Sequence, residues 1–412
     1  MEESKVRTLT ERERQERLRT MVTSFLGVLL LYMSFWVVYH LTHELNRSDL
    51  ITHLRTADDL TKVTVVTELL GGRNRLWHVC VWFLMRLGMA PVYAACVVTS
   101  GAIVSLYGVY CGVLSQMLKK INRALIPVAA FVLCIVGPLY MPWYSEEIYR
   151  GQDSPNMWHN PTQLMVRPLA ILVFWMTVRI YQRAREGSWP AKTYASKQEA
   201  GIYTLLITLS VWAKPSFVQV FIPALGIVLV VDLVRSKGKS ILFFLKVAAA
   251  YVPGVILTLM QFVHSFLSGG GNGVEIAPFD VWSRSSNCIP ISICLLYAFP
   301  IFVLLIVDRK RYFSSLEGQI SASMFVVSGA MWALLAEVGP RRYHGNFGWS
   351  WALTSTVIWC IALRNFIDLL SGDRLSEKEY RVVAGVGWTL LFLHFFTGIV
   401  YYCHIATGTV QC

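Results

Sequence analysis

Charge is scarce in this chain. Only 15% of its 412 residues are Asp, Glu, Lys or Arg, against roughly 25% in an ordinary soluble domain, and that shortfall excludes a soluble enzyme. The nine cysteines include no CxxC pair, which removes the usual zinc and redox motifs. Cys96, Cys111, Cys134, Cys294 and Cys360 fall inside apolar runs, where a thiol behaves as a small hydrophobe. The first apolar stretch has no small-residue cleavage site and reads as a retained span, with no leader removed. No convincing internal repeat is found, which weighs against an inverted-repeat transporter.

What the chain has in abundance is apolar sequence. Hydrophobic residues make up 55% of it, in stretches of about 18 or more that are long enough to cross a hydrocarbon core about 30 Å thick. The expectation is an all-α polytopic membrane protein of about eleven transmembrane helices. They are placed near 21–42, 91–117, 124–142, 163–180, 201–213, 217–234, 241–266, 290–307, 319–337, 350–370 and 384–405. A charged arm occupies residues 1–20, and residues 21–412 form a single transmembrane domain with a first outer loop over 43–90. The segment 201–213 is short and ends at Lys214-Pro215, so it reads as a half-helix that breaks inside the protein.

Sidedness follows from charge. The formal net charge is +12, but the basic residues sit in short clusters between apolar runs, so they act as topology signals and give no nucleic-acid stripe. Of 37 Lys and Arg, 25 fall on the side of the N-terminus in this topology, which makes that side cytoplasmic. Histidine runs the other way. His40, His43, His53, His78, His159, His264, His344 and His404 lie at or near the outer side and His394 alone falls mid-span. Interfacial imidazoles should favour both faces equally, so the bias points to an outward-facing polar site.

Four clusters could carry chemistry. In the first outer loop Asp49, His53 and Ala57 follow at four-residue spacing, which puts a carboxylate and an imidazole on one helix face, with Asp58 and Asp59 close behind. The bland alternative is a solvated helix with routine charge pairs. The same loop ends in RLWHVCVWFLMRLG, an interfacial amphipathic helix that carries His78. The second cluster is the loop before residue 163, with His159 and Asn160 ahead of a span that Arg167 enters. That arginine is met by a phosphate, carboxylate or carbonyl, or it snorkels to head groups. Third, Lys214 sits at the break between two half-spans, where the next helix N-terminus favours an anion such as phosphate, unless the lysine only marks a hairpin boundary. Fourth, Glu337, Arg341, Arg342, Tyr343, His344, Asn346 and Trp349 crowd a short outer loop, where the arginines form a fork for phosphate and the rings can stack on a sugar or line a lipid tail.

The stretches SDLITHL (48–54), RLWHVCVWFL (75–84), MWHNPTQLMVRP (157–168), WAKPSF (212–217) and EVGPRRYHGNFGW (337–349) resemble, in order and placement, the C-fold (GT-C) superfamily of integral membrane glycosyltransferases that use polyprenyl-linked sugars. More narrowly, the chain looks like bacterial membrane proteins of polysaccharide gene clusters. The resemblance implies interfacial helices along the outer face, a functional acid in the first outer loop, and sugar transfer from a polyprenyl-phosphate donor to a glycan or lipid-linked acceptor at the outer face of a plasma membrane. Two departures stand out: Asp49 with His53 replaces the family's paired acids, and no soluble C-terminal domain follows the last span. On this reading Asp49 is the general base, His53 orients it or tunes its pKa, and Arg341, Arg342 and Lys214 meet the leaving phosphate, with His78, His159, Asn160, Arg167, Glu337, Tyr343, His344, Asn346 and Trp349 lining the substrate site. No cofactor is required, although one carboxylate with several imidazoles also suits a divalent cation. Two other functions stay open: a polymerase or ligase of lipid-linked polysaccharide using the arginine pair and a histidine, and a transporter or flippase of lipid-linked sugar.

Overall fold

The computed structural model describes residues 2–44, 48–119, 121–145, 147–186, 195–267 and 273–408. The chain runs through α1 (Glu2–Tyr39), a π-turn (His40–Glu44), α2 (Asp49–Asp58), α3 (Lys62–Leu70) and α4 (Leu76–Arg86). Next come α5 (Pro91–Met117), α6 (Leu125–Ile135), α7 (Pro161–Glu186), α8 (Lys197–Ala213), α9 (Ser216–Arg235) and α10 (Ile241–Phe262). After β1 (Val274–Ile276) follow α11 (Asp280–Ser285), α12 (Ile289–Pro300) with its π-helical continuation Ile301–Val307, α13 (Arg309–Ser314) and α14 (Leu316–Leu334). The chain closes with β2 (Leu335–Glu337), α15 (Gly348–Leu370) and α16 (Glu377–Ala406). The two strands pair antiparallel, Val274 opposite Glu337, and the rest of the architecture is helical.

Among the described residues eight helices are long and apolar enough to cross a membrane: α1, α5, α7, α9, α10, α12 with its continuation, α15 and α16. This is a multi-pass, all-α membrane protein. Burial sorts the helices into centre and rim. Inside the chain, 83% of the apolar window of α15 is buried, against 22% for α1 and for α10, so α15 is the central column and those two face lipid. Along its core-facing sides α15 packs on α14 and α9, while α5 joins α1, α6 and α7.

Helices also form in the other three segments expected to span, but shorter or more polar ones. α14 begins with Glu317 and Gln319 and carries three serines, Ser321, Ser323 and Ser328, so length alone does not make it a span. α8 has 17 residues, opened by a Ser196/Glu199 capping box and closed before Pro215. α6 has 11 and stops at Val136, because Gly137-Pro138 cannot continue it. Beyond that stop the chain runs extended: the Gly137 N–H donates to His394 O at 3.1 Å and the Leu139 N–H to Leu295 O at 2.9 Å.

His394 is the partner that makes this break tolerable. Its Nδ1 lies 2.7 Å from Gly137 O, and its Nε2 accepts the Phe299 N–H at 3.4 Å. The mid-span imidazole is therefore a neutral cross-brace between a broken helix and α12, since one ring nitrogen must donate and the other accept. Backbones approach closely at the same place. A Cβ on Gly137 would stand 3.1 Å from the Gly398 Cα, and one on Gly398 would overlap Ile135 O.

Residues 151–160 form an irregular segment that is buried throughout. It starts at Gly151, whose φ of +85° favours glycine and whose added Cβ would overlap the Ser285 carbonyl. Trp282 Nε1 donates to Gly151 O at 2.8 Å and docks the turn on α11. Gly151→Ala should therefore destabilise the protein by about 2–4 kcal/mol, from overpacking and from the left-handed backbone together. Gly88→Ala, also at positive φ but with open space around its Cβ, should cost only the backbone part; thermal unfolding of both variants in detergent checks the difference.

Candidate active site

Four elements bring their ends together at one end of the bundle: the N-termini of α2, α7 and α15, and the break between α8 and α9. Ser48 caps α2, its hydroxyl accepting the Leu50 N–H at 3.2 Å, and this places Asp49 in the first turn, where the helix dipole favours a carboxylate. Asp49 is exposed. Asn160 precedes α7 and caps it: its Oδ1 accepts the Gln163 N–H at 3.0 Å and the Thr162 hydroxyl at 2.9 Å. Because a backbone donor holds Oδ1, the amide can turn only one way. Its Nδ2 then donates to Asp49 Oδ2 at 3.2 Å, and Oδ1 also accepts the Lys214 ammonium at 3.1 Å.

Lys214 ends α8 in an extended conformation, as the residue before a proline prefers. Its side chain is buried and lies 3.9 Å from the centroid of the Trp349 ring, in a cation–π contact. Burial pulls the ammonium's pKa down, opposed by the charges of Asp49 and Asp153. Asp153 is buried too, and burial pushes its carboxyl up against a 2.7 Å hydrogen bond from the Ser154 N–H and the charges of Arg167 and Lys214. Lys214 thus feels two carboxylates, an exposed one joined to it through an amide and a buried one.

His159 packs beside this group. Its ring centroid is 6.4 Å from Trp349 and 5.3 Å from Tyr149, and Nδ1 is 3.4 Å from the Tyr401 hydroxyl. Burial lowers its pKa. His53 shares the α2 face with Asp49, as the four-residue spacing predicts, but its bonded partner is His78: Nδ1 and Nε2 are 2.9 Å apart. Asp49 is oriented by Asn160. The expected role of His53 in orienting it passes to that amide.

The remaining predicted residues have other partners. Arg167 donates to Pro155 O and, at 3.4 Å, to Asn156 Oδ1, so its guanidinium secures the irregular segment. Of the alternatives open for it, a carbonyl is the observed one. Glu337 accepts from Asn346 Nδ2 at 2.7 Å and pairs with Arg341 Nε at 3.4 Å. Arg342 pairs with Glu275 and, at 2.8 Å, with Asp280. Tyr343 lies under the Arg284 guanidinium at 3.8 Å, and His344 is exposed. Only Trp349 crosses from this fourth cluster to the Asp49 group. Asp58 and Asp59 are exposed at the far end of α2. Among the described residues no group of three or more His, Cys, Asp and Glu is placed to hold a metal ion. No protein-family model and no curated protein matches the chain.

Asp153, Gln163, Tyr149 and Tyr401 were not singled out from the sequence. Gln163, whose Nε2 donates to Trp349 O at 3.3 Å, is a polar residue in the first turn of an apolar helix, and that position is a signal. Nothing local marks Asp153 or the two tyrosines.

The histidine pair sets a pH dependence. Burial holds His53 at about 4, helped by the charges of Lys214 and Arg75, and holds His78 at about 2. An unfolded chain takes up these protons near pH 6.5 and the folded one does not, so stability is complete above about pH 6.5 and is lost as pH falls through about 4. The unfolding temperature in detergent should fall over that window. In the His53→Gln/His78→Gln double variant the fall should be shallower; equal slopes for both proteins would contradict the assignment.

Proposed function

We propose that this protein is a membrane glycosyltransferase that moves a sugar from a polyprenyl-phosphate donor to an acceptor hydroxyl. One observation carries the proposal: an exposed carboxylate and a buried ammonium are joined through a single side chain, Asp49 and Lys214 through Asn160. The carboxylate serves as the base and the ammonium as the counter-charge that transfer from a phosphate leaving group needs. In the proposed step Asp49 takes the acceptor's hydroxyl proton while the acceptor oxygen bonds to the anomeric carbon. The bond from that carbon to the phosphate oxygen breaks, its electron pair leaves with the phosphate, and Lys214 and the N-terminus of α9 meet the charge. Trp349 and His159 offer ring faces to the sugar.

The C-fold arrangement belongs to this proposal, with α6, α8 and α14 completing eleven membrane segments and α2–α4 forming the outer interfacial layer. So does the sidedness, with the N-terminus cytoplasmic and the Asp49 end facing out of a bacterial plasma membrane; there the acceptor would be a glycan or lipid-linked sugar of the cell surface. A variant keeping only Cys412, which lies outside the described residues, should be labelled in intact cells by an impermeant thiol reagent. Labelling only after permeabilisation would reverse the orientation. The polymerase and ligase reading leaned on the arginine pair, and the ion pairs of Arg341 and Arg342 with Glu337, Glu275 and Asp280 favour a structural use of both.

The test is transfer from a panel of radiolabelled polyprenyl-phosphate sugars by purified protein supplied with acceptor extract. Asp49→Asn should lower turnover by about 10²-fold or more, as loss of a general base does, while Asp58→Asn and Asp59→Asn stay near the parent. Lys214→Met should weaken donor binding by about tenfold or more, the scale of a lost charge-assisted contact. Full activity in Asp49→Asn, or no transfer with any sugar on the panel, would remove the proposal.

A further inference from the structure

Two buried polar groups near Lys214 have no use in the transfer step described above. Gln163 is fully buried in the first turn of α7. Its Nε2 donates to Trp349 O, and since a carbonyl only accepts, the amide is held with its own oxygen turned away from that contact. Among the described residues Gln163 Oε1 meets no donor, and the buried Ser216 hydroxyl has no partner.

Both belong to one bonded ring around the ammonium. Asn160 Oδ1 accepts from Lys214 Nζ at 3.1 Å and from the Gln163 N–H at 3.0 Å. Ser216 follows Lys214 by two residues, and its carbonyl accepts the Ser350 hydroxyl at 2.9 Å, one residue beyond the Trp349 carbonyl that holds Gln163. Only Trp349, half-buried over Lys214, and Asp49, exposed beside Asn160, have open surface in this group, so a ligand reaches the ring from their side.

What the ring offers is asymmetric. α9 starts at Ser216 without a side-chain cap, so the first-turn N–H groups of Phe217 and Val218, both buried residues, have no helical acceptor. Together with the Lys214 ammonium they favour an anion. Gln163 Oε1 is the opposite, a neutral acceptor that only a donor satisfies. Free phosphate or a carboxylate answers the first need and leaves the second. A phosphate ester with a hydroxyl close by, as on the ring of a glycosyl phosphate, answers both, and Ser216 Oγ can serve either end.

We infer that Gln163 determines sugar specificity by accepting a hydrogen bond from a ring hydroxyl of the donor's sugar. The inference rests on the donor class proposed above and adds which side chain reads the sugar. The test is equilibrium binding to the full-length protein in detergent, using the tightest-binding polyprenyl-phosphate hexose of a panel, its monodeoxy analogues that each lack one ring hydroxyl, and polyprenyl phosphate with no sugar. The parent should bind one analogue about tenfold or more weakly than the intact sugar, the scale of a buried acceptor left without its donor. In Gln163→Met, close in length but without the amide, the intact sugar and that analogue should bind alike, while polyprenyl phosphate keeps its parental affinity. A parent that binds every analogue as it binds the intact sugar would overturn the inference, as would undiminished discrimination in Gln163→Met. Loss of polyprenyl phosphate binding in that variant would also overturn it, by making the amide a structural tie between α7 and α15. Discrimination in binding without sugar transfer keeps this role for Gln163 and removes the transferase reading; transfer without discrimination does the reverse.

Discussion

Irregular backbone survives away from water only when the protein itself satisfies its polar groups, and residues 151–160, buried throughout, live under that constraint. Asn156 answers part of it by donating to Leu133 O and Val136 O at 2.9 and 2.8 Å, which closes the carbonyl end of α6. Arg167 and Thr356 answer more by converging on Pro155 O. Removing the Asn156 amide would take that donor from both the Leu133 and Val136 carbonyls, at about 1–3 kcal/mol each. Asn160 is the last residue of this segment, so the amide that joins Asp49 to Lys214 is only as well placed as the segment behind it.

The bundle handles charge in two ways. At the end away from Asn160, cations and anions meet directly: Arg364 with Glu317 at 2.7 Å, and Arg185 with Asp232 at 2.8 Å, where the Tyr181 hydroxyl also donates at 2.6 Å. Those pairs tie α14 to α15 and α7 to α9. Between Asp49 and Lys214 a neutral amide stands instead, so neither charge is neutralised by a direct ion pair with the other. That contrast separates a fastening from a site.

Features governed by short-range chemistry were legible in the sequence. The four-residue spacing of Asp49 and His53 placed both on one face of α2, Lys214-Pro215 marked the break between α8 and α9, and RLWHVCVWFLMRLG contained α4. Partner choice was not legible, because it depends on contacts distant in sequence. Nothing near Arg342 announces Glu275 and Asp280, nothing near His53 announces His78, and an arginine entering a span reads alike whether it meets a phosphate or the Pro155 carbonyl. Segment 124–142 carried its own stop in Gly137-Pro138, yet the apolar residues beyond look the same extended as helical. Segment 319–337 reads as a span because its middle is apolar; the polar groups at the start of α14, Glu317 and Gln319, engage Arg364 and Arg185.

The contact between Gly137 and Gly398 has a consequence for α16. That helix borders lipid along much of its length and could in principle slide against its neighbours. At this seam the backbones touch with no room for a side chain, and the flanking residues of α16 all carry one. A displacement by a single residue would drive Thr397 or Ile399 into the Ile135 carbonyl and would pull His394 off both of its backbone partners at once. The seam therefore works as an indexing notch: α16 has one longitudinal setting, and Tyr401, one helical turn beyond Gly398, meets His159 only in that setting.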